Sequence, residues 1–245
     1  MTRAADTPTS GYAERWKSHN VERRAAILAA AADLVEQSPP GADVPVQRVA
    51  DQAGVAKSVV YRQFKGKDDL ERTLRQFVLD QFADELETDL DISHGSLRSI
   101  LARTIDSAAT WMSEHPRLVE LLRAGPAAAS PDAPDAIGEL KRRIVQRSDD
   151  TIAALAVATG ADRSAFEAIP FVVVNMVEAT LTSWIRGESA ATVRSRDEMV
   201  AALTDITWFI LDGAAHTIGV TVDPDEELAT VVAGLTVPQD TIQTV

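Results

Sequence analysis

The chain has 245 residues, 45% of them apolar and 25% charged, with 24 Lys and Arg against 37 Asp and Glu, a net charge of −13, and no cysteine. That length can bury a sizeable core as one large domain or two smaller ones, and the absence of cysteine excludes a disulfide framework, a thiolate zinc site, an iron–sulfur cluster and a thiol nucleophile. The net charge speaks against a nucleic-acid partner, because phosphate binding rests on Lys and Arg, but it averages two unlike parts: residues 1–75 carry 12 basic and 10 acidic side chains, residues 76–245 carry 12 and 27.

Residues 1–10 are polar, without the apolar segment of a secretory signal, and the longest apolar run, around 171–174, is interrupted by Asn175 and Glu178. Uninterrupted runs of about 18 residues mark membrane spans. The expectation is a soluble cytoplasmic protein without a membrane partner.

Apolar residues recur at steps of three and four, with no sustained alternation, so the predicted elements are helices throughout. Residues 1–20 read as a flexible arm, and Trp16, Lys17, His19 and Asn20 as an arm that could lie along a partner. A first helix over 21–37 carries Val21, Ala25, Ile27, Leu28, Ala31, Leu34 and Val35 and stops at Ser38-Pro39-Pro40-Gly41. Two short helices follow over 45–52 and 56–64, separated by Ala53-Gly54-Val55. A longer one runs from Lys67 towards Asp89. Ser96 is the predicted N-cap of a helix ending at His115-Pro116, and 116–123 forms a short helix. The Pro- and Ala-rich stretch 125–134 reads as a loop. Helical patterns resume over 135–159, 163–187 and 196–219, with Gly160, Gly187 and Gly219 placed as left-handed caps. Pro170 should kink its helix or shift its start, and Asp223-Pro224 opens one short helix in a tail over 223–245.

The chemistry concentrates in residues 46–70. Two short helices that cross steeply over a tight turn need a small residue at the crossing, which Ala50 supplies, and a turn residue tolerant of positive φ, which is Gly54. Val49, Val55 and Val60 fill the space between them. The second short helix then exposes Lys57, Ser58, Tyr61, Arg62 and Gln63. Displayed in a DNA major groove, Lys, Arg and Gln meet base edges, and Tyr meets phosphate. Lys67 joins a cation to the free backbone N–H groups of a helix start and is predicted to grip phosphate, while Gln47 and Arg48 reach from the preceding helix. Within 48–67, five basic residues face only Asp51.

This stretch, with the preceding Arg23-Arg24-Ala25-Ala26-Ile27-Leu28 helix, resembles the tetracycline-repressor (TetR) family of bacterial transcription regulators. Its Ala-Gly-Val, Tyr-Arg-x-Phe and Lys-Asp-Asp-Leu elements carry the resemblance over about residues 20–74. The resemblance implies an all-α homodimer: a three-helix helix-turn-helix domain over 21–66 that binds double-stranded operator DNA, and a larger helical bundle over 67–222 for dimerisation and a small-molecule ligand. The function implied is a ligand-responsive regulator, a repressor released from a palindromic operator. Ala56 departs from the family pattern, standing where Ser or Thr commonly caps the recognition helix, at a loss on the order of 1 kcal/mol. Ser58 and Val59 stand where Gly and Thr are frequent, and Pro45 where Thr often opens the first short helix.

In the helical body, Asn175, Glu178 and Thr182 share one face of an otherwise apolar helix. Their partner is either a ligand or a neighbouring helix or subunit. Trp111, Met112, Phe166, Phe171 and Met176 are candidates to line the same cavity, with Arg103 as an orienting charge. Trp184, Trp208, Phe209 and His216 are candidates for a helix-to-helix dimer interface. The histidines, His19, His94, His115 and His216, are scattered without metal-ligand spacing. No glycine loop cradles phosphate, and Glu178 with His115 forms no assembled acid–base pair, so neither a cofactor nor a catalytic site is expected. The alternative class is a helical small-molecule-binding protein or enzyme without sequence-specific DNA binding.

Overall fold

The computed structural model describes residues 10–124, 136–188 and 195–236; the loop expected over 125–134 lies outside them. The fold is all-α. In chain order the helices are α1 (Ser10–Glu36), α2 (Val46–Gln52), α3 (Lys57–Gln63), α4 (Lys67–Asp89), α5 (Leu97–Glu114), α6 (Pro116–Arg123), α7 (Ala136–Thr159), α8 (Ile169–Ile185), α9 (Arg196–Thr217) and α10 (Leu228–Thr236), with a single tight helical turn at Ser164–Phe166 before α8. Their boundaries fall close to the sequence expectation except at the start. The first helix begins at Ser10, so residues 10–20, expected as an arm, continue α1 upstream. Pro170 stands in the first turn of α8 and shifts the helix start instead of kinking it, because the missing N–H costs nothing there.

The chain forms two compact units. The first comprises residues 1–78 and 116–133, the second 79–115 and 134–245.

In the first unit, α1 supplies Ile27, Leu28, Ala31 and Leu34 to the core, α2 Val49 and Ala50, α3 Val60, the start of α4 Leu70 and Leu74, and α6 Leu118 and Leu122. Ala50 is wholly buried where α2 meets α3. Gly54 takes φ +65° in the turn between them, and the N–H of Val55 donates to the Ala50 carbonyl at 2.9 Å. Arg24 fastens the end of α3. Its guanidinium lies 4.4 Å from the centre of the Phe64 ring and donates to the Gln63 carbonyl at 2.6 Å.

The start of α4 is held by Asp69, which accepts the Lys65 N–H at 2.9 Å. That bond holds the Asp69 carboxyl below the usual carboxylate range. A group depressed on folding stabilises above its unfolded pKa, and the contribution is lost as pH falls through the lowered folded value. Asp69→Ala should therefore cost about 1 kcal/mol, the scale of a helix-capping contact, at neutral pH. Thermal unfolding of the two proteins from pH 7 down to pH 2 should show the difference shrinking below about pH 4.

In the second unit, α5 packs on α9, α7 on α8 and α10 on α7. Phe82 stacks on Trp111 with centroids 4.0 Å apart, in a core with Ile100, Met112, Leu181 and Leu203. Ser96 caps α5 as expected, accepting the Ser99 N–H. Ser195 and Glu198 form a reciprocal capping box at the start of α9. The chain after α9 is tied back by two hydrogen bonds, from the Gly95 N–H to Glu227 at 2.7 Å and from the Leu228 N–H to the Gly95 carbonyl at 3.0 Å.

Of α8, Pro170 and Leu181 are buried, while Phe171 and Val172 are exposed. The segment Ser164–Ile185 has a mean hydropathy of 1.5 with 11% of it buried, long and apolar enough by composition to cross a membrane. An isolated apolar helix of this kind fits a partner helix equally well.

Candidate DNA-binding head and ligand cavity

The exposed face of α3 is built by spacing. Lys57, Ser58, Tyr61 and Arg62 recur at one- and four-residue steps and share one side, all exposed, while Val60 and the following Phe64 anchor the other side. The Lys57 ammonium lies 5.9 Å from the centre of the Tyr61 ring. Ala56 has extended backbone and makes no side-chain cap.

Three of the expected contact residues are engaged with side chains of the protein itself. Gln63 is half-buried and its amide donates to the Asn20 side chain, so it braces the end of α3 against α1. Gln47 donates to Asp51 at 2.8 Å along α2; Arg48 beside it is exposed. Lys67 pairs with Asp43 and, at 3.6 Å, with Glu71. The Asp43 hydrogen bond comes first among the causes that raise the Lys67 pKa, so this cation stays charged but is already partnered.

The second unit contains a cavity of about 260 Å³. Leu97, Ile100 and Leu101 from α5 line it, with Ile152 and Leu155 from α7, Phe166, Ile169 and Val173 at and after the tight turn, Thr207, Trp208 and Leu211 from α9, and Leu228, Val231 and Val232 from α10. Its few polar lining residues include Arg147, Asp162, Arg163 and Asp212.

Among the ligand candidates, Phe166 lines this cavity and the others lie elsewhere. Arg103 donates to the carbonyls of Asp89 at 3.0 Å and Asp91 at 2.8 Å, closing the end of α4. Trp111 and Met112 are core, the former stacked on Phe82. Phe171 is 64% exposed, and Met176 is half-buried outside the cavity. The polar face of α8 meets α7: Lys141 donates to Asn175 at 3.0 Å and lies 3.7 Å from Glu178, which accepts the Thr182 hydroxyl at 3.0 Å. The α8 wall of the cavity lies on a different side, at Ile169, Pro170 and Val173.

The dimer candidates separate as well. Trp208 is 6% exposed and forms cavity wall, which removes it from any surface. Phe209 is 68% exposed, Trp184 is half-buried, and His216 is exposed with its Nδ1 2.8 Å from the Asp212 carbonyl. Consecutive helical residues point about 100° apart, so Trp208 and Phe209 face different sides of α9, one buried and one exposed. The short helix expected after Asp223-Pro224 is α10, and its three aliphatic residues in the cavity wall were not foreseen. Thr207 and Arg147 went unnoticed because each lies one helical step from residues with stronger signals.

The first unit presents a helix-turn-helix with an exposed cationic face, and the second an apolar cavity. Comparison with known proteins finds relatives of the same kind. Residues 27–72 match the family model described as bacterial regulatory proteins, tetR family. An uncharacterized HTH-type transcriptional regulator of Mycobacterium tuberculosis is 23% identical over 221 residues, 88% of each chain. The crystal structure of a tetR-family transcriptional regulator from Streptomyces coelicolor superposes with a TM-score of 0.61 at 21% identity, over 87% of this chain and 88% of that one. The TetR family repressor AlkX from a Dietzia species superposes with a TM-score of 0.50 at 16% identity, over 77% and 95%. Residues 27–72 are thus similar to the DNA-binding domain of tetR-family regulators, and most of the chain is similar to an HTH-type transcriptional regulator and shares the all-helical fold of a tetR-family structure.

Proposed function

We propose that the protein is a cytoplasmic, ligand-responsive repressor that binds a palindromic operator as a homodimer. Lys57, Ser58, Tyr61 and Arg62 carry the reading, because they form one exposed face on a helix pinned from behind by Arg24 and Phe64. Lys57, Ser58 and Arg62 read base edges; Tyr61, Lys67 and Arg48 position the backbone. Gln63 and Gln47 contribute once they exchange their present partners for DNA. Two heads set about 34–36 Å apart, or a multiple of it, would meet successive turns of the groove. A mainly apolar ligand in the cavity favours a different head separation, limited by its differential affinity for the two states.

The pairing of Lys67 with Asp43 adds an internal competitor for phosphate. Binding to a duplex carrying the palindrome near the protein's own gene should fall steeply with salt. Lys67→Ala should weaken it at every sequence and reduce the salt slope by about one, whereas Asp43→Asn should strengthen it by about twofold to fivefold, the modest effect of an exposed pair. Fluorescence anisotropy between 50 and 300 mM salt reads all three; failure to bind DNA of any sequence would refute the reading.

A further inference from the structure

Resting on the ligand reading above, we infer that the cavity takes a medium-length aliphatic carboxylate carrying an additional oxygen along its chain. Three observations fix the chemistry. The walls are overwhelmingly aliphatic, so the body of the ligand is apolar. The volume of about 260 Å³ holds about eight or nine heavy atoms at roughly 30 Å³ each, the share of a water in the liquid. The nine alkyl carbons of a ten-carbon acid fill that space and leave its carboxylate at the edge.

The polar lining residues specify the two oxygen functions. Arg147 and Arg163 are exposed residues of the cavity lining, and neither has an ion pair among the described residues. The acids on the same lining are occupied locally. Asp162 accepts the Ser164 N–H at 2.9 Å and its hydroxyl at 2.8 Å, and Asp212 lies 3.4 Å from His216. The open valence is therefore cationic, and a guanidinium presents donors in the fork that a carboxylate matches. On the α9 wall, Thr207 is 1% exposed, and its hydroxyl oxygen is buried without a hydrogen-bond partner. A hydroxyl left unmatched in an apolar wall is costly, and a hydroxyl or carbonyl oxygen on the ligand chain satisfies it.

The test is calorimetric titration of the full-length protein with decanoate, with decanol, and with decanoates hydroxylated at carbon 3, 5 or 7. Decanoate should bind about tenfold more tightly than decanol, the scale of a charge-assisted hydrogen bond, and Arg147→Gln with Arg163→Gln should erase that margin while leaving decanol unchanged. At least one hydroxydecanoate should exceed decanoate by about fivefold, a gain that Thr207→Val removes without weakening decanoate itself. Equal binding of decanol and decanoate overturns the anionic end while the cavity reading stands. Absence of any gain among the hydroxy acids, or a gain that survives Thr207→Val, overturns the role of Thr207. If neither decanoate nor decanol binds, the ligand reading fails with the proposal.

Discussion

Replacing both Lys57 and Arg62 with alanine should lower operator affinity by two orders of magnitude or more and leave the melting temperature unchanged. Both side chains are exposed, and neither takes part in the packing of Val60 and Phe64 that holds α3 in place, so the fold has no stake in them. A base contact is worth about 1–3 kcal/mol, and each 1.4 kcal/mol is a factor of ten. The two contacts are repeated in the second head of a dimer, so the measured loss compounds. Gel-shift or anisotropy titration against operator and scrambled duplexes distinguishes the roles: base readers narrow the gap between the two duplexes, while a phosphate contact such as Lys67 lowers both together. An unchanged ratio for the double variant would move sequence reading off α3.

The charge balance acquires a structural meaning from this. The −13 average conceals a near-balanced amino-terminal part and a strongly acidic remainder, and acids also enter the head itself, where Asp43 and Glu71 hold Lys67. Such internal partners keep affinity for arbitrary DNA low, since a phosphate must first displace a carboxylate.

The head was legible in the sequence because its constraints are local. Ala50, Gly54 and the alternation of buried Val49 and Val60 and half-buried Val55 with exposed cations lie within a short stretch, and steric need at a tight crossing leaves few residues to choose from. Helix boundaries were legible for the same reason, through Ser96, Pro116 and the terminal glycines, whereas the Ser195 capping box went unread. The upstream part of α1 was missed because residues 10–20 show no apolar period; that segment follows the helix by propensity, through Ala13, Glu14, Arg15 and Lys17. The lining of the 260 Å³ cavity was not legible because its position depends on which faces of distant helices meet. Period alone shows that Asn175, Glu178 and Thr182 share a side, and nothing in it shows that Lys141, more than thirty residues earlier in the chain, waits across from them. Gln63 likewise looks like a base reader until Asn20 is seen beside it.

Trp208 and Phe209 provide the sharpest contrast available in the second unit, because adjacent aromatic residues should fail in opposite ways. Trp208→Ala removes a wall of the cavity and a side chain that is 6% exposed. Truncating a buried aromatic costs about 3–5 kcal/mol, and the lower end applies here, since one side of the indole already borders empty space. Calorimetry should therefore show a lower melting temperature with no change in subunit association. Phe209→Asp should do the reverse. Its ring is exposed beside Ile206 on α9, and Phe171 and Val172 are exposed on α8, which packs against α9. On the proposed dimer, these apolar residues are covered by their counterparts in the second copy, where burial of each large side chain contributes about 1.5–3 kcal/mol. A carboxylate there is unpaired and desolvated. Sedimentation should show Phe209→Asp as a folded monomer, and operator affinity should drop with it, because one head alone contacts one half-site. A Phe209→Asp protein that sediments as wild type would place the subunit contact on another surface, and a Trp208→Ala protein that dissociates without unfolding would return Trp208 to the interface.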